Sequence, residues 1–429
     1  MKYLPINAAL FTLNRKNLAA QLPPKAIAVF NSNDIMPTNA DGSMGFRQNN
    51  DLFYLSGIDQ EESILVIFPS SKDPKFREVL FIKETSELMA VWEGHKFTKK
   101  EAQEISGIAT IIWTKDFDNI LPSLVFEATT IYLNTNEHVR SGNEVETRDA
   151  RFIKACQQKY PLHQYGRLAP IMQQLRAIKS EWEIGLMQEA CNITEKAFRR
   201  ILGFVKPNVW EFEIEAELMH EILRNRSTGP AYHPIIASGA NACILHYVEN
   251  NQQCKDGDLI LLDLGAEYAN YASDMSRTIP VNGKFSPRQK AVYNAVLRVM
   301  KQAVSMLVVG NTLEKYHQEV GKLMQEELIQ LNLLDRKEVE NQDEKNPLYK
   351  KYFMHGTSHF LGLDTHDVGD RQRAFEAGMV FTCEPGIYIK EEGLGIRIEN
   401  NYLITNSQAI DLMKNIPIEA EEIEALMKK

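Results

Sequence analysis

Short apolar runs punctuate the first third of the chain, separated by polar stretches. AIAVF (26–30), SILVIF (63–68), VLFI (79–82), ATIIW (109–113) and TIYLN (130–134) are brief, rich in Val and Ile, and bounded by polar residues, so each predicts a strand. Residues 99–105 and 149–158 read as helices. The alternation predicts an α/β domain over residues 1–174.

Near residue 180 the period changes. Ser180-Glu181-Trp182-Glu183 is a capping box, which starts a helix. Ile184, Met187, Cys191, Thr194, Phe198, Ile201 and Val205 then recur at steps of three and four, with Gly185 inside the pattern. A second helix is predicted from Asn208 to about Asn225, and Gly229-Pro230 breaks it. The runs PIIAS, CILHYV, LILLDL and ASDMSRTI predict strands. The scheme then recurs. Ser286-Pro287 opens two helices reaching about Leu334, and MVFTCEPGIYI and LGIRIENNYLIT follow as strands. Residues 335–350 read as a polar loop or insertion, and the tail EAEEIEALMKK as a short amphipathic helix. Helices then strands, twice over, predict a duplicated α+β unit across residues 175–429, built on a mostly antiparallel sheet.

Composition narrows the function classes. The chain has 429 residues, 44% hydrophobic and 24% charged, the balance of a soluble globular protein. A net charge of −9 argues against a nucleic-acid or anionic-membrane partner. No apolar run is long enough to span a bilayer, and Asn and Pro interrupt the N-terminal apolar stretch, so neither a membrane span nor a signal peptide is expected. Five scattered cysteines without a CxxC fit reduced thiols in the cytoplasm.

The chemistry lies in acids set among apolar residues. Asp263 sits inside LILLDLG, Asp274 follows eleven residues later, Glu384 follows MVFTC, and Glu399 lies in GIRIEN with Arg397 two residues before it. A buried, unpaired carboxylate is costly, and neighbouring carboxylates repel one another, so the group needs protons, basic side chains or cations. The unknown turn between Asp263 and Asp274 leaves their facing open. His355, His359 and His366 cluster in MHGTSHFLGLDTHDVGD, and His246 lies in CILHYV. Four carboxylates and one neutral imidazole are neutralised by two divalent cations, and oxygen-dominated ligation favours Mn²⁺ or a similar ion. Such a pair equips a site for amide hydrolysis. No GxSxG, papain-like, Walker A or dinucleotide signature is present.

These segments resemble aminopeptidase P, the Xaa-Pro aminopeptidases of the pita-bread metallopeptidase family. FRQNNDLFYLSGI (46–58) is similar to a motif of the family's N-terminal domain. NACILHYVEN, GDLILLDLGAEYANYASDMSRTIPVNGKFS, HGTSHFLGLDTHDVG, EPGIYI and GIRIEN are similar to its catalytic motifs, in the same order. The resemblance implies a pita-bread catalytic domain behind an α/β N-terminal domain. It implies cleavage of the bond before proline at the second position of a peptide, by a hydroxide shared between two ions. Mn²⁺ is favoured, with Zn²⁺, Co²⁺ and Mg²⁺ as other candidates.

The same resemblance implies Asp263, Asp274, His359, Glu384 and Glu399 as metal ligands, with Asp274 and Glu399 bridging and Glu384 also handling a proton. His246 and His366 would contact substrate and stabilise the tetrahedral intermediate, and His355 and Arg397 would orient ligands and the substrate carbonyl. Tyr232 matches a substrate-side tyrosine. Trp92 matches a tryptophan that edges a neighbouring subunit's site in a homo-oligomer, a dimer or tetramer. Only fourteen residues separate Glu384 from Glu399, a short loop of a kind also found in prolidases. A prolidase and a metal-free binding protein on the same fold are the competing readings. The retained ligand set argues against the latter and against creatinase-type chemistry.

Overall fold

The computed structural model describes residues 2–142 and 144–428. The chain divides into two compact units, Tyr3–Leu175 and Arg176–Lys429.

In the first unit the five predicted apolar runs form strands of a six-stranded sheet. The spatial order is Thr110–Trp113, Glu78–Ile82, Ile64–Ile67, Ala26–Asn31, Thr130–Leu133, Gln164–Arg167. Ala26–Asn31 is buried along its whole length, which is why it reads as continuously apolar. It pairs antiparallel with Ile64–Ile67 and parallel with Thr130–Leu133, so the sheet is mixed. Gln164–Arg167 is a sixth strand without an apolar signal. Its backbone pairs with Thr130–Leu133 at the sheet edge, and its side chains are half-buried or exposed. The helix Phe117–Glu127 is likewise additional. It keeps Pro122 in its interior and contributes Leu121 and Val125 to the buried apolar cluster that also holds Val66 and Ile131.

The second unit has helices then strands, twice. Ser180 caps Glu181–Phe204 through the expected capping box. The next helix is Glu211–Arg224, starting three residues later than the periodicity suggests, because Asn208 has φ 73, outside helical geometry. Met275–Pro280, Leu259–Leu264 and Ile235–Ser238 form an antiparallel sheet in that order. In the second half the helices are Pro287–Val304 and Leu313–Gln330.

Three expectations need correction. CILHYV is not a strand: Gly239–Cys243 is a 3-10 turn and a loop follows to Asn250, because side chains rather than a strand partner hold this stretch. Each of the last two apolar runs is a pair of strands. Val380–Cys383 pairs with Asn400–Leu403, and Gly386–Ile389 with Leu394–Arg397. The breaks fall at Glu384-Pro385, where proline has no N–H to give, and at Ile398-Glu399. Residues 335–350 are not wholly loop, since Arg336–Glu340 is helical under an Asp335 cap. The tail forms the helix Ala420–Met427. No described helix is long and apolar enough to cross a membrane.

Candidate active site

The strand pairing decides where the acids point. Asp263 is paired with Ser276, so Asp274, two residues back on the same strand line, projects to the same face as Asp263. Cys383 pairs with Asn400 and Gly386 with Arg397, and the same register carried across the break sets Glu384 opposite Glu399. The backbone N–H groups of the two glutamates leave this hairpin. Glu384 donates to the Thr357 carbonyl at 2.9 Å and Glu399 to the Ser276 carbonyl at 3.0 Å, which ties the acids to the neighbouring segments. Asn401 fixes Asp274 from behind, accepting from its N–H at 3.0 Å and donating to its carbonyl at 2.6 Å.

The side chains converge. Oxygen or nitrogen atoms of Asp274, His359 and Glu399 lie within 4.8 Å of one another. His359 Nε2 is 3.4 Å from Asp274 Oδ2 and 3.6 Å from Glu384 Oε1. Its Nδ1 is 2.9 Å from the Phe360 carbonyl, which can only accept, so Nδ1 carries a proton and Nε2 is the nitrogen that faces the carboxylates. Asp263 joins through Tyr232, whose hydroxyl is 2.6 Å from both Asp263 Oδ1 and Asp274 Oδ1. Tyr232 therefore lies against the acids themselves.

A second layer surrounds them. Arg397 Nη2 donates to Asp263 Oδ2 at 2.6 Å, Nε to Ser276 Oγ at 2.8 Å, and Nη1 to the Tyr388 hydroxyl at 2.8 Å. Ser276 Oγ donates to Glu399 Oε2 at 2.8 Å. His355 Nδ1 donates to the Gly356 carbonyl at 2.8 Å, so its Nε2 accepts from Tyr388 at 2.8 Å. The His366 ring meets the His359 ring edge-on, centroids 4.4 Å apart. His246 is exposed on a turn. Trp92 belongs to the first unit, on the helix Glu87–Glu93, 83% exposed.

The electrostatics are those of crowded acids. Burial, then the charge of Asp274, raises the Glu384 carboxyl to about 7. Burial and the neighbouring acids push Glu399 well above the ordinary range, and Asp263 is raised mainly by burial against the opposing pull of Arg397. Burial and the same acids raise Tyr232, which keeps its hydroxyl proton to donate. Burial and the charge of Arg397 hold His355 near 3, so it stays neutral. Burial disfavours a charged His359, but Asp274 and Glu384 outweigh it and its pKa ends raised. Arg397 brings one positive charge to four carboxyl groups. The remaining imbalance, with oxygen and imidazole donors converging, fits divalent cations of hard to borderline character.

Tyr388, Ser276 and Asn401 carry no sequence signal of their own. Tyr388 stands in EPGIYI and Asn401 beside GIRIEN, but only the contacts above distinguish them from ordinary strand residues.

Comparison with known proteins shows the family. Residues 185–406 match the model of metallopeptidase family M24, and residues 11–132 match that of the aminopeptidase P N-terminal domain. A Haemophilus influenzae Xaa-Pro aminopeptidase is 34% identical, the alignment covering 97% of this chain and 96% of the relative. An Escherichia coli Xaa-Pro aminopeptidase is 33% identical over 97% of each. Among solved structures, zinc-substituted E. coli aminopeptidase P in complex with product superposes with a TM-score of 0.89 at 31% identity, covering 99% of both chains. Pseudomonas aeruginosa aminopeptidase PepP gives 0.89 at 31% identity, over 99% of this chain and 98% of that one. With its pita-bread domain and the N-terminal domain before it, the chain belongs to metallopeptidase family M24, in the aminopeptidase P group.

Proposed function

We propose that the protein is a metallo-aminopeptidase that hydrolyses the first peptide bond of chains with proline at the second position. The observation that carries this reading is the convergence of Asp263, Asp274, Glu384 and Glu399 with His359 in one buried cluster whose charge is unbalanced. Full-length similarity to Xaa-Pro aminopeptidases supplies the proline preference.

Asp263, Asp274, His359, Glu384 and Glu399 would hold two divalent ions, Mn²⁺ in first place, with Asp274 and Glu399 shared. Bound there, such ions polarise the scissile carbonyl and acidify a water molecule. Glu384, whose carboxylate stands 3.6 Å from His359 Nε2, would take a proton from the attacking water and return it to the departing proline nitrogen. His246 and His366 donate to the oxygen that gains negative charge. Arg397 holds Asp263, and through Tyr388 it holds His355 neutral and oriented toward the substrate carbonyl. Tyr232 lines the substrate side of the acids.

We also assign the protein to the cytoplasm, as a homo-oligomer of two or four copies in which Trp92 of one copy borders the site of another. Light scattering on the purified chain reads the oligomer size directly. The central test is an assay of the manganese-loaded protein on Arg-Pro-Pro and on Ala-Ala-Ala, with metal content measured in parallel. Turnover of the first alone is expected. Equal turnover of both removes the proline preference, and turnover of neither removes the peptidase assignment.

A further inference from the structure

The loop that carries His246 has no strand to pair with, yet it is held at both ends by a single buried side chain. Glu211, 0% exposed, opens the helix Glu211–Arg224. Its Oε1 accepts from the Ser238 N–H at 2.7 Å, from Ser238 Oγ at 2.7 Å and from Asn241 Nδ2 at 3.4 Å. Its Oε2 accepts from the Tyr247 hydroxyl at 2.7 Å and from the Gln252 N–H at 2.9 Å. These donors stand before His246, directly after it, and beyond it. A carboxylate out of water needs such donors, and here every one of them comes from the His246 loop or its two ends. With Tyr247 drawn inward, Ile244, His246 and Val248 face outward, Ile244 and Val248 being 54% and 50% exposed.

We infer that Glu211 is a positioning residue for the reaction, fixing the loop from Ser238 to Gln252 so that His246 is presented to the substrate. This rests on the substrate-side role given to His246 above. Each carboxylate oxygen of Glu211 faces a backbone N–H that cannot rotate away. An amide in its place turns its NH₂ toward one of those N–H groups in either orientation, so Glu211→Gln keeps the shape and breaks the clamp.

The test is a double-mutant cycle joined to hydrogen exchange on the metal-loaded protein. Glu211→Gln should lower kcat/KM for Arg-Pro-Pro roughly tenfold, the effect of one displaced buried partner. In a His246→Ala background the same change should cost under about twofold, because both act through one group. Amides 244–251 should exchange faster in Glu211→Gln, with metal content unchanged. Losses that multiply, or unchanged exchange at 244–251, overturn the inference. If Glu211→Gln does not fold, Tyr247→Phe removes a single bond of the clamp, and its smaller loss must also vanish in the His246→Ala background or the inference fails. His246→Ala without any loss overturns the role of His246 itself, and the inference with it, whereas multiplying losses overturn Glu211 alone.

Discussion

Arg397 donates to Asp263 at 2.6 Å across the strands Leu394–Arg397 and Leu259–Leu264, and the same guanidinium holds Ser276 and Tyr388. One cation thus orients an acid of the cluster directly, touches Glu399 through Ser276, and reaches His355 through Tyr388. A planar fork with several donors can do this, and a point charge cannot.

Arg397→Lys should therefore retain a charge but lose the geometry, lowering kcat/KM by at least about tenfold. Arg397→Met leaves Asp263 buried without its partner, which costs on the order of 3–5 kcal/mol. Denaturant unfolding of the metal-free variants reads the second effect. A midpoint equal to that of the unsubstituted protein means the pair does not constrain the fold.

The stability of the ion-free protein should depend on pH with a definite sign. Glu384 has a folded-state pKa near 7 against an ordinary value of 4.5. Between these values the folded chain keeps a proton that the unfolded chain releases, so stability falls as pH rises through the window. Divalent ions take the place of that proton and should flatten the dependence. Thermal unfolding at about pH 5 and about pH 7.5, with chelator or with Mn²⁺, checks this. An ion-free protein that is no less stable at the higher pH contradicts it.

Metal binding and turnover should separate by residue. Asp263→Ala and His359→Ala should lose both metal and activity. His366→Ala should keep the metal and slow turnover by ~10²-fold, the scale for losing one donor to an oxyanion. Loss of metal from His366→Ala, measured by elemental analysis, would place His366 among the ligands.

Gly265 allows the close approach that aligns Asp263 with Asp274. A Cβ there would stand 1.9 Å from the Ser273 carbonyl oxygen, a backbone atom with little room to move. Gly265→Ala should cost about 1–3 kcal/mol, as overpacking does, and should weaken metal binding by shifting one strand against the other. Calorimetric titration with Mn²⁺ reads the second consequence, and unchanged affinity refutes it.

Much of this protein was legible along the chain. The apolar runs marked five strands of the first sheet, the three-and-four spacing after Ser180 marked the long helix, and acids inside apolar runs marked the site. These are local properties, set by the period of side chains along one element. Gln164–Arg167 escaped because an edge strand needs only its backbone, and CILHYV misled because its alternation of inner and outer side chains is real while its backbone turns back on itself, Ile244 N–H donating to the Asn241 carbonyl. Tertiary pairing alone decided that Asp263 and Asp274 share a face, that Glu384 stands opposite Glu399, and that Tyr388 and Glu211 matter. Register and buried polar partners join residues far apart in sequence, and no local period records them.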